Sequence, residues 1–237
     1  MAQYCEFHYG QRYFEVPNYP QRCAELCLSF MEGRASIRAL DLGCAVGRST
    51  FELARGFSSV TGVDFSARFI GTACSMKEEG CIQYSLPEEG ELMSRHERSL
   101  ADLGLEHTAN NVTFHREDAQ DLPSDFTDYH LIFAGNLIDR LADPGEFLTA
   151  IHKRLNPNGL LAITSPYTWL TDFTPRDNWI GGFLRNGKPV WTLDGMRELL
   201  SPRFTLLENV HQIPFVIRET RRKFQHTVAA MTVWARK

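Results

Sequence analysis

The run Asp41-Leu42-Gly43-Cys44-Ala45-Val46-Gly47 holds the most chemically suggestive spacing in the 237-residue chain. Its apolar left flank, Ile37 to Leu42, reads as a buried strand and Arg48 to Gly56 as a helix, so the glycines fall at a strand-to-helix turn. In a doubly wound sheet that is where ligands lie, beyond the carboxyl ends of the strands, and glycine lets them approach the backbone. The dinucleotide fingerprint G-x-G-x-x-G does not fit, because its second and third glycine positions hold Ala45 and Arg48. No phosphate-binding lysine follows the loop, which excludes a P-loop nucleotide site.

A second acidic residue, Asp64, ends the next strand, Ser59 to Asp64, where a carboxylate can accept both hydroxyls of a ribose. Asp118-Ala119 follows a third strand, Asn111 to His115. Taken singly, each feature has a local explanation, since tight turns need glycine and aspartate caps helices and turns. Together the three strand ends specify a nucleoside site. Their spacing resembles the D-x-G-x-G-x-G pattern of class I S-adenosylmethionine (SAM) methyltransferases, with Ala45 in place of the middle glycine. That resemblance implies SAM as cofactor and S-adenosyl-L-homocysteine as product. It carries the cofactor contacts onto Asp41, Gly43, Cys44, Ala45, Gly47, Asp64, Phe65, Ser66, Asp118, Ala119 and Asn136.

Short apolar runs alternating with amphipathic stretches are the signature of a mainly parallel sheet covered by helices. The expected fold is α/β and Rossmann-like, a single domain over 1–237. Ser66 caps a helix to about Glu79; strands follow at Tyr129 to Ala134 and Gly159 to Thr164. Between them Asp143-Pro144 opens a helix and Asn156-Pro157-Asn158-Gly159 closes it. Thr192 is the expected cap of a last helix. Strands over Phe204 to Val210 and Val228 to Ala235 then form an antiparallel C-terminal hairpin, suggesting a seven-stranded methyltransferase sheet with helices on both faces. Residues 1–35 form a lid segment. Residues 80–109, rich in charge and turn formers, are an insertion with a short helix around Glu91 to Leu103.

Composition narrows the partners. Twenty-five basic against 29 acidic side chains give a formal charge of −4, without the basic excess that draws a protein to a phosphate backbone. No nucleic-acid or membrane partner is expected: the longest uncharged stretch, Leu155 to Thr171, is broken by Pro157, Gly159 and Pro166. The N-terminus shows no secretory signal pattern. The six cysteines include no C-x-x-C pair and no His-rich complement, so no metal is expected and reduced thiols in the cytoplasm are the default.

A narrower resemblance rests on segments spanning nearly the whole chain. These are Phe7-His-Tyr-Gly10, Tyr13-Phe-Glu-Val-Pro-Asn18, Leu40 to Arg48, Asp64-Phe-Ser-Ala-Arg-Phe69, Asn136-Leu-Ile-Asp-Arg-Leu141 and Thr164-Ser-Pro-Tyr-Thr-Trp169, then Asn178-Trp-Ile-Gly-Gly-Phe183, Phe215-Val-Ile-Arg-Glu-Thr220 and Lys223-Phe-Gln-His226. They resemble the C-terminal domain of ovothiol synthase, the 4-mercaptohistidine N1-methyltransferase family. The resemblance implies methylation of the π imidazole nitrogen of 5-thiohistidine to give ovothiol A, with a functional link to an iron-dependent sulfoxide synthase that this chain does not contain. A SAM methyltransferase acting on another small molecule or on RNA, and a non-catalytic SAM-binding module, are the alternatives.

Methyl transfer from a sulfonium is an in-line displacement with a good leaving group, so orientation and desolvation can supply most of the catalysis. The thiolate is intrinsically the better nucleophile, hence the pocket must turn sulfur away from the methyl. Asn136, Asp139 and Tyr167 are the catalytic candidates, as groups at strand ends able to orient the imidazole or take its proton. Tyr9 and Tyr13 in the lid, Tyr167 and Trp169 after the fifth strand, and Asp139 are candidates for holding the ring. Arg218 is expected to grip the amino-acid carboxylate and Glu219 the α-amino group. His226 is a possible base.

Overall fold

The protein is described as a computed structural model over residues 1–207 and 210–237. The chain begins with helices α1 (Ala2–Tyr9) and α2 (Tyr19–Phe30), then strand β1 (Arg38–Leu42), α3 (Arg48–Leu53), β2 (Ser59–Asp64) and α4 (Ala67–Glu79). A hairpin of β3 (Cys81–Glu89) and β4 (Leu92–Ser99) intervenes before β5 (Val112–Arg116), β6 (Tyr129–Gly135), α5 (Pro144–Ala150) and β7 (Leu155–Ser165). A small flap, β8 (Phe183–Arg185) and β9 (Lys188–Val190), precedes α6 (Thr192–Leu200), β10 (Phe204–Leu206), β11 (His211–Arg218) and β12 (Phe224–Arg236).

The main sheet runs β10-β12-β7-β6-β1-β2-β5, with β11 also on β12. From β7 to β5 all pairs are parallel. β12 enters antiparallel between β7 and the last edge. β10 and β11 lie along the same edge of β12, so the eight strands occupy seven positions. The expected methyltransferase sheet is therefore present, with its edge strand broken in two. Glu208 and Asn209, within the strand expected over Phe204 to Val210, lie outside the described residues. β11 was not foreseen as a strand; Pro214 is tolerated there because an edge strand has unpaired donors to lose.

Strand alternation sets two cores. On β1, Ala39 turns to the face covered by α1 to α4, while Leu40 and Leu42 turn to the face covered by α5 and α6. Because β2 and β5 extend from one side of β1 and β6 and β7 from the other, the chain reverses between β1 and β6, the place where such sheets open a ligand crevice.

Several local expectations hold. Ser66 accepts the Phe69 N–H at the start of α4, and Asp143 accepts that of Glu146 at the start of α5. Three need correction. Residues 81–99 are a β-hairpin, with Ile82, Tyr84 and Leu86 turned inward on a period of two and Gly90 (φ +57°) in the turn; the charge-rich second strand has no buried stripe of its own, which made it read as helix. Asn156 to Gly159 does not end a helix: it bulges within β7, whose pairing jumps from Tyr129–Leu155 to Leu131–Leu160. Thr192 is the first residue of α6 rather than its cap, and its hydroxyl instead accepts the Trp169 indole N–H at 2.9 Å.

Candidate functional site

At the reversal point, the turn after β1 is held open by backbone geometry. Gly43 (φ +74°) and Cys44 both donate their N–H to Val63 O, at 2.8 and 3.0 Å. A side chain on Gly43 would project toward Leu137 and the Gly135 carbonyl, across the crevice between β1 and β6. Gly47 (φ +94°) leaves no room for one at all, because a Cβ would lie 2.8 Å from the Phe114 ring. Between them Ala45 carries a left-handed φ of +47°, where L-residues are strained. The glycine absent from the sequence pattern is thus replaced by an alanine that adopts a glycine-like conformation.

Asp64 braces this turn: one oxygen accepts the Ala45 N–H at 3.0 Å and the other the Ser66 N–H at 2.8 Å. Each oxygen keeps acceptor capacity for a diol. Burial raises its pKa, opposed by those two N–H groups. Phe65 beside it is exposed, with the Arg116 guanidinium 5.9 Å from its ring centre. Asp118 and Ala119 follow β5; Asp118 accepts the Gln120 N–H at 2.9 Å.

Asp41 does a different job. Buried under the loop, it accepts the hydroxyls of Ser49 and Thr50 at 2.6 and 2.7 Å, pinning α3 to β1. Burial pushes its carboxyl up to about 6, against the pull of those two hydroxyls. Cys44 is likewise enclosed, its thiol pushed up by burial. Neither side chain faces the crevice as a free ligand group.

Next to the crevice, and joined to it through Tyr19, lies a pocket lined by residues of the N-terminal segment and of β11. Phe7 and Tyr19 line it, and buried Phe215 packs behind both, with ring centres 4.8 to 5.7 Å apart. Its other walls include Glu6, Arg12, Tyr13 and Arg218. Glu6 is buried and accepts the hydroxyls of Tyr13, at 2.6 Å, and of Tyr84 from the hairpin, with Arg98 at 3.7 Å. Burial, and then Glu6, push the Tyr13 hydroxyl up to about 12. The inserted hairpin therefore buttresses the pocket.

Two tyrosines tie the N-terminal segment to the crevice. Tyr9 donates its hydroxyl to Val46 O at 2.6 Å, seating α1 on the turn, and Tyr19 Oη lies 2.7 Å from both Asn136 Oδ1 and Thr164 Oγ1. His8 stays neutral, its pKa lowered to about 3 by burial and by Arg48, and its Nδ1 accepts the Arg48 N–H.

The remaining candidates separate. Tyr13 and Arg218 do share the pocket, but Arg218 is nearly buried and its guanidinium already bonds Glu88 at 2.6 Å and Thr220 O. Arg12, exposed at the mouth, has no ion-pair partner among the described residues. Glu219 pairs with Lys223 and Gln225 in the β11–β12 turn, and His226 is exposed on β12. Asp139, fully buried, accepts from Ser165, Thr168 and Arg140 at 2.8 to 2.9 Å, so it braces the loop after β7 and is no free base. Tyr167 (φ +56°) packs on the second core, its hydroxyl pushed up to about 12 by burial and then by Asp139. Trp169 stacks on Trp179 under the flap. Sequence reading missed Glu6, Tyr19 and Thr164; a tyrosine opening a helix after Asn18-capped turn residues carries no sign of a partner 117 positions away.

Among the described residues no three His, Cys, Asp or Glu side chains gather as a metal site, and no helix is long and apolar enough to cross a membrane.

Fold and crevice are those of a class I SAM-dependent methyltransferase. The sequence matches the methyltransferase domain family over residues 16–203, and the chain belongs to that family. The N-methyltransferase NodS from Bradyrhizobium japonicum WM9, solved with S-adenosyl-L-homocysteine, is similar over 100% of this chain and 99% of its own, at a TM-score of 0.57 and 16% identity. Magnesium protoporphyrin IX methyltransferase from Synechocystis PCC 6803 with the same product bound gives 0.59 and 15%, over 99% of this chain and 93% of that one. The [4+2]-cyclase SpnF gives 0.53 and 19% over 81% of this chain, which spans 60% of the cyclase. The protein is an enzyme of this class and SAM is its methyl donor.

Proposed function

We propose that the enzyme methylates the π nitrogen of 5-thiohistidine, giving ovothiol A. One observation carries this reading. Among the segments that set the sequence apart from generic methyltransferases, two near the N-terminus, Phe7 to Gly10 and Tyr13 to Asn18, and one near the C-terminus, Phe215 to Thr220, contribute walls of a single pocket beside the crevice. The acidic charge balance offers nothing to draw a polyanionic polymer substrate to the site.

In this reading SAM supplies the methyl group as a sulfonium. Gly43 to Gly47 leave backbone space for its methionine part, Asp64 takes the ribose diol and Asp118-Ala119 borders the adenine. Phe7 and Tyr19 hold the imidazole, backed by Phe215, and the α-carboxylate meets Arg12, since the Arg218 charge is already balanced by Glu88. Tyr9 and Tyr13 fasten the segment that excludes water. The enzyme works in the cytoplasm, on a product of an iron-dependent sulfoxide synthase.

The test is transfer of labelled methyl from SAM to 5-thiohistidine, histidine and bulk RNA in parallel. Label in 5-thiohistidine alone is expected. Label in histidine or RNA, with none in 5-thiohistidine, overturns the assignment.

A further inference from the structure

Asn136 stands at the end of β6 in a left-handed conformation, φ +50°, held by an unusual set of bonds. Its N–H reaches Thr164 O at 2.9 Å and Thr164 Oγ1 at 3.0 Å. Its Oδ1 lies 2.7 Å from Tyr19 Oη and 3.3 Å from Thr164 Oγ1, and those two hydroxyls are 2.7 Å apart. Both hydroxyls donate to the Asn136 carbonyl oxygen, while the Thr164 backbone carbonyl is taken by the Asn136 N–H, so the oxygen end of the amide is set inward. Burial holds the Tyr19 phenol far above its ordinary pKa, which keeps it a donor.

The amide nitrogen then faces outward. Among the described residues Asn136 Nδ2 has no hydrogen-bond partner, and it is not fully enclosed. Its backbone neighbours, Gly135 and Leu137, are the groups facing Gly43 across the crevice. The site is therefore equipped there with a donor and not with an acceptor. An exocyclic amine being methylated needs an acceptor for its N–H; a ring bearing an anionic sulfur needs a donor.

We propose that Asn136 donates its amide N–H to the thiolate of the acceptor, with Tyr19 and Thr164 as positioning residues that lock it in that orientation, and that this bond directs the methyl to nitrogen. The proposal rests on 5-thiohistidine being the substrate. A hydrogen bond to the thiolate lowers its lone pair and its nucleophilicity. The bond to carbon forms from the π-nitrogen lone pair while the sulfonium C–S bond breaks, its electron pair staying on the leaving sulfur. With the other ring nitrogen protonated and the thiolate anionic, the sulfonium charge is taken up by the ring and no proton has to leave.

The experiment compares wild type, Tyr19→Phe, Thr164→Val and Asn136→Asp. It separates Nπ-methyl from S-methyl products, with S-adenosylhomocysteine affinity and the side-chain amide NMR signal of Asn136 measured in parallel. Wild type should give the Nπ product. Tyr19→Phe and Thr164→Val should keep S-adenosylhomocysteine affinity, shift the amide signal and raise the S-methyl fraction by about tenfold, the scale of one hydrogen bond to a charged group. Asn136→Asp, which sets a carboxylate against the thiolate, should raise KM by at least that factor. An unchanged product ratio in a folded Tyr19→Phe or Thr164→Val protein overturns the proposal. If wild type leaves 5-thiohistidine unmethylated, the substrate reading fails; the amide signal still tests the lock, which is refuted if the signal does not move in either hydroxyl variant.

Discussion

The cofactor crevice and the acceptor pocket lie side by side but are built in opposite ways. The crevice draws on short contiguous runs at strand ends, with the conformation set by backbone: Gly43, Ala45 and Gly47 all have positive φ and Asp64 braces them through N–H groups. The pocket is assembled from side chains that are far apart in sequence, and the hairpin of β3 and β4 reaches it through Tyr84, Arg98 and Glu88. Backbone-built sites suit a cofactor shared by many enzymes. Side-chain-built sites can change with the substrate while the sheet stays the same.

Damage to the crevice should therefore abolish cofactor binding, whereas damage to the pocket should leave it intact. The largest effect is expected for Gly43→Val, since a β-branched residue at φ +74° is both strained and placed in the opening. The variant should lose SAM binding by calorimetry while keeping its circular dichroism. Asp64→Ala follows, weakening SAM by about 1.5–3 kcal/mol, the worth of hydrogen bonds to a charged group.

Asp41 sharpens the contrast, because it supports the loop without facing the ligand. Its folded pKa, about 6, lies above the ordinary carboxylate value of 3.8, so the folded state binds the extra proton between those limits. Its contribution to stability is accordingly greatest at low pH and declines as pH rises from about 4 to about 6. Asp41→Asn should flatten that slope and raise stability at pH 7 by up to roughly 2 kcal/mol. Thermal denaturation across pH 4–7 reads this out; a slope equal to wild type would contradict it.

On the pocket side, Arg12→Gln should raise KM for 5-thiohistidine by up to about fivefold, the scale of an exposed ion pair. SAM affinity should not change. A larger effect from Arg218→Lys, with the fold intact, would return the carboxylate to Arg218. The smallest change is expected for Ala45→Gly. Relief of left-handed strain is offset by the entropy of the unfolded glycine, leaving a gain of about 0–1 kcal/mol by denaturant titration.

How far each region was legible follows from its construction. Alternating apolar runs gave the parallel sheet, and Asp41 to Gly47, Asp64 and Asp118 marked its strand ends, because those signals are local. The stretch from Glu91 to Leu103 reads as a helix although it holds β4, because only β3 of the hairpin has a buried stripe. Asp139 and Trp169 read as groups that meet the imidazole although their polar atoms are engaged internally, and Tyr19 drew no notice although it joins both regions. Spacing along a chain conveys which residues share a turn or a helix face. It does not convey which buried polar group will satisfy which, since that is decided by packing between elements.

The most direct measurement of the account supplies SAM with a 13C-labelled methyl to the wild-type enzyme with 5-thiohistidine and follows the labelled carbon by NMR. The account predicts a single new N-methyl resonance on the π nitrogen. An S-methyl resonance as the main product, or a SAM signal that never diminishes, would contradict it.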